Sequence, residues 1–195
     1  MKLAIFDFDG TIISKDSMIE FLFFTHGRVK AIFNLILLSP VLFLYLIRVI
    51  PNWKAKEFVL TRFYKGMSID DFNRLSSKFS KEIIPKMIRP LAMEKIEWHK
   101  SQGHKVVIVS ASIENYLIHW CCKQKIDLLA TRLEIRDNRM TGRLSTKNCH
   151  GAEKVKRIQL EHDISNMQYI YAYGDSRSDR KLATIAHDFH YKPFC

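Results

Sequence analysis

The sequence predicts an α/β fold in which a central parallel sheet is interrupted by a long helical insertion. Three observations carry that prediction. Apolar runs at residues 3–8, 105–110 and 169–173 each end in a turn containing Gly or Ser, as short buried strands do. Segments of helical period and helix-capping residues fill the intervals between them. The interval between the first two runs is far longer than a single crossover helix requires, so it holds an insertion.

The first run leads through Leu3, Ala4 and Ile5 into Phe6-Asp7-Phe8-Asp9-Gly10-Thr11. On a strand, alternation puts Asp7 and Asp9 on one side at the C-terminal end, where open α/β sheets place their chemistry. Carboxylates this close repel, and a cation or a shared proton must relieve that repulsion. Two aspartates in a solvated turn are the bland alternative, but the apolar run before them and Gly10-Thr11 after them weigh against it.

Next in order, Ser14-Lys15-Asp16-Ser17 caps a helix over residues 18–26 that Gly27 closes. Residues 29–50 follow, and in 31–47 only Asn34, Ser39 and Pro40 interrupt apolar side chains. A surface helix would show a polar face, and this run has none. Its length approaches that of a membrane span. Pro40, however, breaks it into two halves of about 15 Å each, and basic residues flank both ends: Arg28 and Lys30 before, Arg48, Lys54 and Lys56 after. Basic flanks on both sides put both ends on the cytoplasmic side. The expectation is a shallow hairpin that enters and leaves one leaflet; the alternative is two buried helices of a soluble cap.

Helices are expected over residues 53–64 and 68–84, the second opened by Ser68 with Asp70 and Asp71 in its first turn. Another runs over 91–102 to Gly103. Val106-Val107-Ile108-Val109 then forms the second buried strand, with Ser110-Ala111-Ser112 at its C-terminal end. A helix over 113–123, a hairpin of 132–136 with 139–144 turning at Asp137-Asn138, and a helix from about 149 to 162 follow. The third strand, 169–173, ends in Gly174-Asp175-Ser176-Arg177-Ser178-Asp179.

At 195 residues and 47% apolar content, the chain can bury one real core plus an insertion. Cys121 and Cys122 are adjacent, Cys149 and Cys195 stand apart, and no Cys/His metal spacing occurs, which favours a reducing compartment. A strand starting near Leu3 leaves no room for a cleavable leader, so the active domain is expected on the cytoplasmic side. Of the net charge of +11, +8 falls within residues 28–100. That block suits an anionic surface, either phospholipid headgroups or nucleic acid, and charge alone fits a merely soluble basic face equally well. No aromatic-interleaved basic repeat or reader motif points to nucleic acid.

Four sites therefore follow strands or open a helix, in the order Asp7/Asp9, Ser110, Lys154, Asp175/Asp179. Singly each is weak. In this order and spacing they resemble the four motifs of the haloacid dehalogenase (HAD) superfamily, Asp-Phe-Asp-Gly-Thr being the first. The resemblance implies a Rossmann-like core of residues 1–13 and 101–195 with a helical cap at 14–100. It also implies Mg²⁺ held by Asp7, the backbone carbonyl of Asp9, and Asp175. Asp7 would be the nucleophile that forms an aspartyl-phosphate, and Asp9 the general acid and base. Ser110, Ala111, Gly10 and Lys154 would bind phosphate, with Thr11 and Asp179 behind them; Asp179 would hold the metal's water shell or orient Lys154.

The insertion resembles the cap of the phosphoserine-phosphatase-like branch. There, a Glu nine residues after the nucleophile holds the substrate ammonium; here the shorter Asp16 stands in its place. Ser110-Ala111-Ser112 replaces Ser-Gly-Gly, and Ser176 and Ser178 replace Gly and Asn of the fourth motif. The apolar cap and Cys149-x-Gly151-x-x-Lys154 resemble the phosphatidylglycerophosphatase C group. The expected activity is hydrolysis of a lipid phosphomonoester at a membrane. The alternatives are a soluble small-metabolite phosphatase and, third, a non-catalytic binding protein.

Overall fold

The computed structural model describes residues 1–194; Cys195 lies outside the described residues. Strands β1 (Lys2–Phe6), β2 (Lys105–Ile113) and β3 (Asp127–Thr131) lie on one side of the sheet. The strands Leu133–Arg136 (β4) and Arg139–Leu144 (β5) form a separate antiparallel pair, and β6 (Tyr169–Gly174) and β7 (Asp188–Tyr191) complete the main sheet. Its order is β3-β2-β1-β6-β7, and every pairing is parallel. β1 is therefore central and covered on both faces, which explains a strand apolar at every position from Leu3 to Phe6. Alternation sends Ala4 and Phe6 into one hydrophobic cluster and Leu3 and Ile5 into another on the opposite face.

The sequence anticipated β1, β2 and β6 but not β3 or β7. These two edge strands are short, and their half-polar sequences read as loop until they have a neighbour to pair with. β1 ends at Phe6, so Asp7 and Asp9 sit on the turn beyond it rather than on the strand. β2 runs three residues past Ser110, with a shift of register between Val109 and Ile113.

Seven helices separate β1 from β2: α1 (Ser17–His26), α2 (Arg28–Leu37), α3 (Ser39–Leu46), α4 (Asn52–Tyr64), α5 (Ile69–Glu82), α6 (Ile84–Met87) and α7 (Pro90–Ser101). α8 (Glu114–Gln124) follows β2, and α9 (Ala152–Glu161) precedes β6. Phe21 of α1, Leu60 and Tyr64 of α4 and Phe72 and Phe79 of α5 join the cluster that contains Phe6 and Ile108, so the insertion shares a core with the sheet. Asp137 and Asn138 both take positive φ, 50° and 57°, the backbone of a tight two-residue hairpin turn between β4 and β5. That hairpin lies on α4. Gly142 (φ 83°) faces the Thr61 backbone at a distance that excludes any Cβ.

The apolar stretch forms two short helices bent by 65°. The bend falls at Leu38; Pro40 sits in the first turn of α3, where its missing N–H costs nothing. Two wholly buried helices, the alternative expected for this stretch, do not describe it. Ala31 is buried, and Leu35, Leu38 and Leu42 pack against the core. The other face of the same helices stands in the open, with Val29 86% and Leu46 73% exposed. Among the described residues, no single helix is long and apolar enough to cross a membrane.

Candidate active site

The strand order reverses at β1, with β2 on one side and β6 on the other, and that switch point is where open α/β sheets bind ligands. Asp7 follows β1, Ser110 lies near the end of β2, and Asp175 follows β6. Topology thus brings together residues more than a hundred positions apart. Asp7, Asp9, Ser110, Lys154 and Asp179 line a cavity of about 250 Å³.

Lys154, in the first turn of α9, is the buried cation of this site. Its Nζ lies 2.5 Å from Asp7 Oδ1 and 2.6 Å from Asp179 Oδ1. Asp179 also accepts from the backbone N–H and hydroxyl of Ser176, so it is held from two sides while it fixes the lysine. Burial opposes a charged Lys154, but Asp7 and Asp179 outweigh it and hold its pKa above the ordinary lysine range.

Oxygens of Asp7, Asp175 and Asp179 come within 4.8 Å of one another. Thr11 Oγ1 stands between two of these carboxylates, 3.3 Å from Asp7 Oδ2 and 3.5 Å from Asp175 Oδ1. Gly10 takes φ 77°, and a Cβ there would overlap the Asp175 carboxylate. One lysine does not neutralise three carboxylates. Burial first, then repulsion from Asp179 and Asp9, pushes Asp7 up to about 7 despite Lys154, and burial also raises Asp175. A cluster of hard oxygen donors with a deficit of positive charge fits Mg²⁺. The acidic side chains that meet are Asp7, Asp175 and Asp179; the carboxylate of Asp9 points elsewhere.

Asp9 accepts a 2.7 Å hydrogen bond from the Ser17 backbone N–H and another from the Ser112 hydroxyl. Behind Ser112, its oxygen lies 2.8 Å from Ser17 Oγ, which lies 3.1 Å from the Tyr116 hydroxyl. Burial raises the Tyr116 pKa, so the phenol keeps its proton and the chain of hydroxyls can donate toward Asp9. Burial, followed by the charge of Asp16, raises the pKa of Asp9 itself. A carboxyl group that retains a proton more readily than usual, and is held in one orientation, is suited to proton transfer.

The remaining residues expected at the site fall into place unevenly. Ser110 is fully buried, and its Oγ accepts from the Ser112 backbone N–H at 3.0 Å. Asp16 lines the cavity, yet its carboxylate caps α1 by accepting from the Ile19 N–H at 2.9 Å. Ala111 offers its carbonyl to Lys56 Nζ at 2.6 Å. In the sequence Lys56 is only one residue of a basic flank. It reaches the cavity from α4, where it also contacts Asn148 Oδ1 at 3.3 Å, and Asn148 in turn donates to Asn52 Oδ1 at 2.7 Å. Burial pulls the Lys56 pKa below the ordinary lysine range, against the pull of Asp9 and Asp16. Nothing in the sequence distinguished this lysine from Lys54. Ser112 was visible in its motif, whereas Ser17 and Tyr116 carried no signal of their contact with it.

The raised pKa of Asp7 has a consequence for stability. The unfolded chain releases this proton near 3.8 and the folded chain near 7, so in the absence of metal the folded state loses stability as pH rises between those values. Asp7→Asn does not titrate. In EDTA its advantage over wild type should already be present at pH 5 and should grow by roughly 2–3 kcal/mol, or about 4–12 °C in Tm, between pH 5 and pH 8. Equal melting curves at pH 8 would contradict this account of the site's charge balance.

Comparison with known proteins agrees with this architecture. Residues 4–184 match the family of haloacid dehalogenase-like hydrolases. The chain is 31% identical over 194 residues to protein CicA of Caulobacter vibrioides, covering 98% of this chain and 86% of that one. A probable phosphatase of Mycobacterium tuberculosis is 26% identical over 90% of this chain and 63% of its own length. Among solved structures, a protein of unknown function from Bordetella pertussis Tohama I superimposes with a TM-score of 0.82 at 22% identity, covering 96% of this chain and 88% of that one. A substrate-bound phosphoserine phosphatase does so with a TM-score of 0.70 at 16% identity, covering 97% and 85%. The parallel sheet, the carboxylates gathered at its switch point and a family match over nearly the whole chain lead to one conclusion: this protein belongs to the haloacid dehalogenase-like hydrolases.

Proposed function

We propose that this chain is a Mg²⁺-dependent phosphomonoesterase that acts on a small, water-soluble phosphate ester. The observation that carries the reading is the buried Asp7–Lys154–Asp179 arrangement at the cavity, with a separately fixed Asp9 beside it. Asp7 Oδ attacks phosphorus, and the bond from phosphorus to the ester oxygen breaks as the Asp7–phosphate bond forms. Asp9 gives its proton to the departing oxygen. It then takes a proton from a water molecule, whose oxygen attacks phosphorus and releases inorganic phosphate and free Asp7.

Lys154 neutralises charge on the transferring group, and Ser110 and the backbone after it donate to the phosphate oxygens. Asp7, Asp175 and the backbone carbonyl of Asp9 would hold Mg²⁺, with Asp179 nearby; bound there, the ion supplies the positive charge that lets an anionic nucleophile approach an anionic ester. Residues 14–100 act as the cap. From them Met18, Asn52, Lys56 and Val59 reach the cavity wall, so this segment selects the leaving group.

A cavity of this size suits a compact leaving group, and phosphoserine phosphatases share the fold. A second reading, a lipid phosphate such as phosphatidylglycerophosphate, is favoured by one feature: Leu42, from the apolar α3, also lines the cavity. A phosphate-release screen with added Mg²⁺, over soluble esters and over lipid phosphates in detergent micelles, separates the two. Turnover of soluble esters, lost in EDTA and regained with Mg²⁺, is the expected result. Release from lipid phosphates alone would favour the second reading, and no release from either class would overturn the phosphatase assignment.

A further inference from the structure

We infer that the outer face of the α2–α3 pair is a docking surface for an anionic phospholipid bilayer. This inference is independent of which ester the active site hydrolyses. The two helices show one apolar face to the core and a second to the outside. Inward lie Ala31, Leu35, Leu38 and Leu42. Outward stand Val29, Phe33, Ile36, Phe43, Leu46 and Val49, each at least 60% exposed. A concentration of exposed apolar side chains of this kind marks an interaction site.

Charge identifies the occupant. Between Glu20 and Glu57 the chain has no acidic residue, and in that interval Arg28 and Lys30 at one end of the apolar stretch and Arg48 and Lys54 at the other are exposed. Apolar side chains flanked at both ends by cations match the layering of an anionic leaflet, in which hydrocarbon lies beneath negative headgroups.

Helix length limits the mode of binding. α2 has ten residues and α3 eight, about 15 and 12 Å of helix, against a hydrocarbon core of about 30 Å. With a 65° bend between them, the pair seats in one leaflet and does not cross. The inward face is fixed: Ala31 is fully buried, and Arg62 Nε donates to Asn34 Oδ1 at 2.7 Å. The surface is thus presented on a rigid support. Leu42 joins it to the catalytic cavity wall, so a docked protein holds that cavity beside the headgroup layer.

The test is co-sedimentation of the full chain with vesicles of equimolar phosphatidylcholine and phosphatidylglycerol, and with vesicles of phosphatidylcholine alone. Wild type should bind the anionic vesicles more tightly, and NaCl at about 0.5 M should weaken binding without abolishing it, because salt screens the cations and not the apolar contact. Phe33→Glu with Leu46→Glu should lower the partition coefficient about a hundredfold. Both positions are exposed, and an unchanged melting curve shows that the double variant is folded. As a measurement on wild-type side chains, Trp53, 46% exposed just beyond the pair, should lose fluorescence to brominated lipids, and Trp53→Phe should remove that loss. Wild type remaining in the supernatant with anionic vesicles would overturn the inference, as would undiminished binding of the double variant. A wild-type dimer that the double variant dissociates, with no vesicle binding, would assign the surface to a second copy of the chain and overturn it equally.

Discussion

Asp7→Asn should lose turnover by a factor on the order of 10⁴ or more while the fold stays intact. The amide is nearly isosteric with the carboxylate and can still meet Thr11, so packing around the end of β1 changes little. What disappears is the proposed nucleophile, together with one charge of the cluster formed with Asp175 and Asp179. The measurement is steady-state phosphate release, alongside the melting curves described above. The pairing of results is diagnostic: a protein that melts higher at pH 8 yet does not turn over has exchanged charge repulsion for inactivity. Substantial phosphatase activity in pure Asp7→Asn protein would remove Asp7 from the nucleophilic role.

Lys154→Met should cost about a hundredfold in kcat/KM, corresponding to about 3 kcal/mol of transition-state stabilisation. Lys154→Arg, which keeps the charge but changes its shape, should cost less. The methionine also leaves Asp7 and Asp179 without their cation in a buried site, so the variant should melt lower than wild type in EDTA, and Mg²⁺ should recover part of the difference. Assays are therefore made with saturating Mg²⁺, below the melting temperature of each variant. A nearly silent Lys154→Met would place the charge that meets the phosphate elsewhere, and Lys56 is then the next cation to replace.

Much of this site was legible in the sequence because three of its residues sit immediately beyond a strongly apolar strand or at a helix start. Asp7 follows β1, Asp175 follows β6 and Lys154 falls in the first turn of α9. A strand buried on both faces leaves a continuous apolar run that survives reading one residue at a time. The contacts that hold Asp9 were not legible in the same way. Ser17, Ser112 and Tyr116 meet only because α1, β2 and α8 converge, and a serine before a helix reads as a cap in any sequence.

The stretch over residues 29–50 marks the boundary between the two kinds of information. Sequence alone determined that these helices have no polar side, that they break close to Ser39-Pro40, and that cations but no anions surround them. Only the tertiary structure decided which apolar side is buried, because periodicity identifies a face by contrast and here there is none. Packing supplies the contrast: Ala31, small enough for close approach, turns inward, and Phe33 and Leu46 are left outside. Lys56 was decided in the same way, one lysine of a basic helix singled out only because α4 lies across the Ala111 carbonyl.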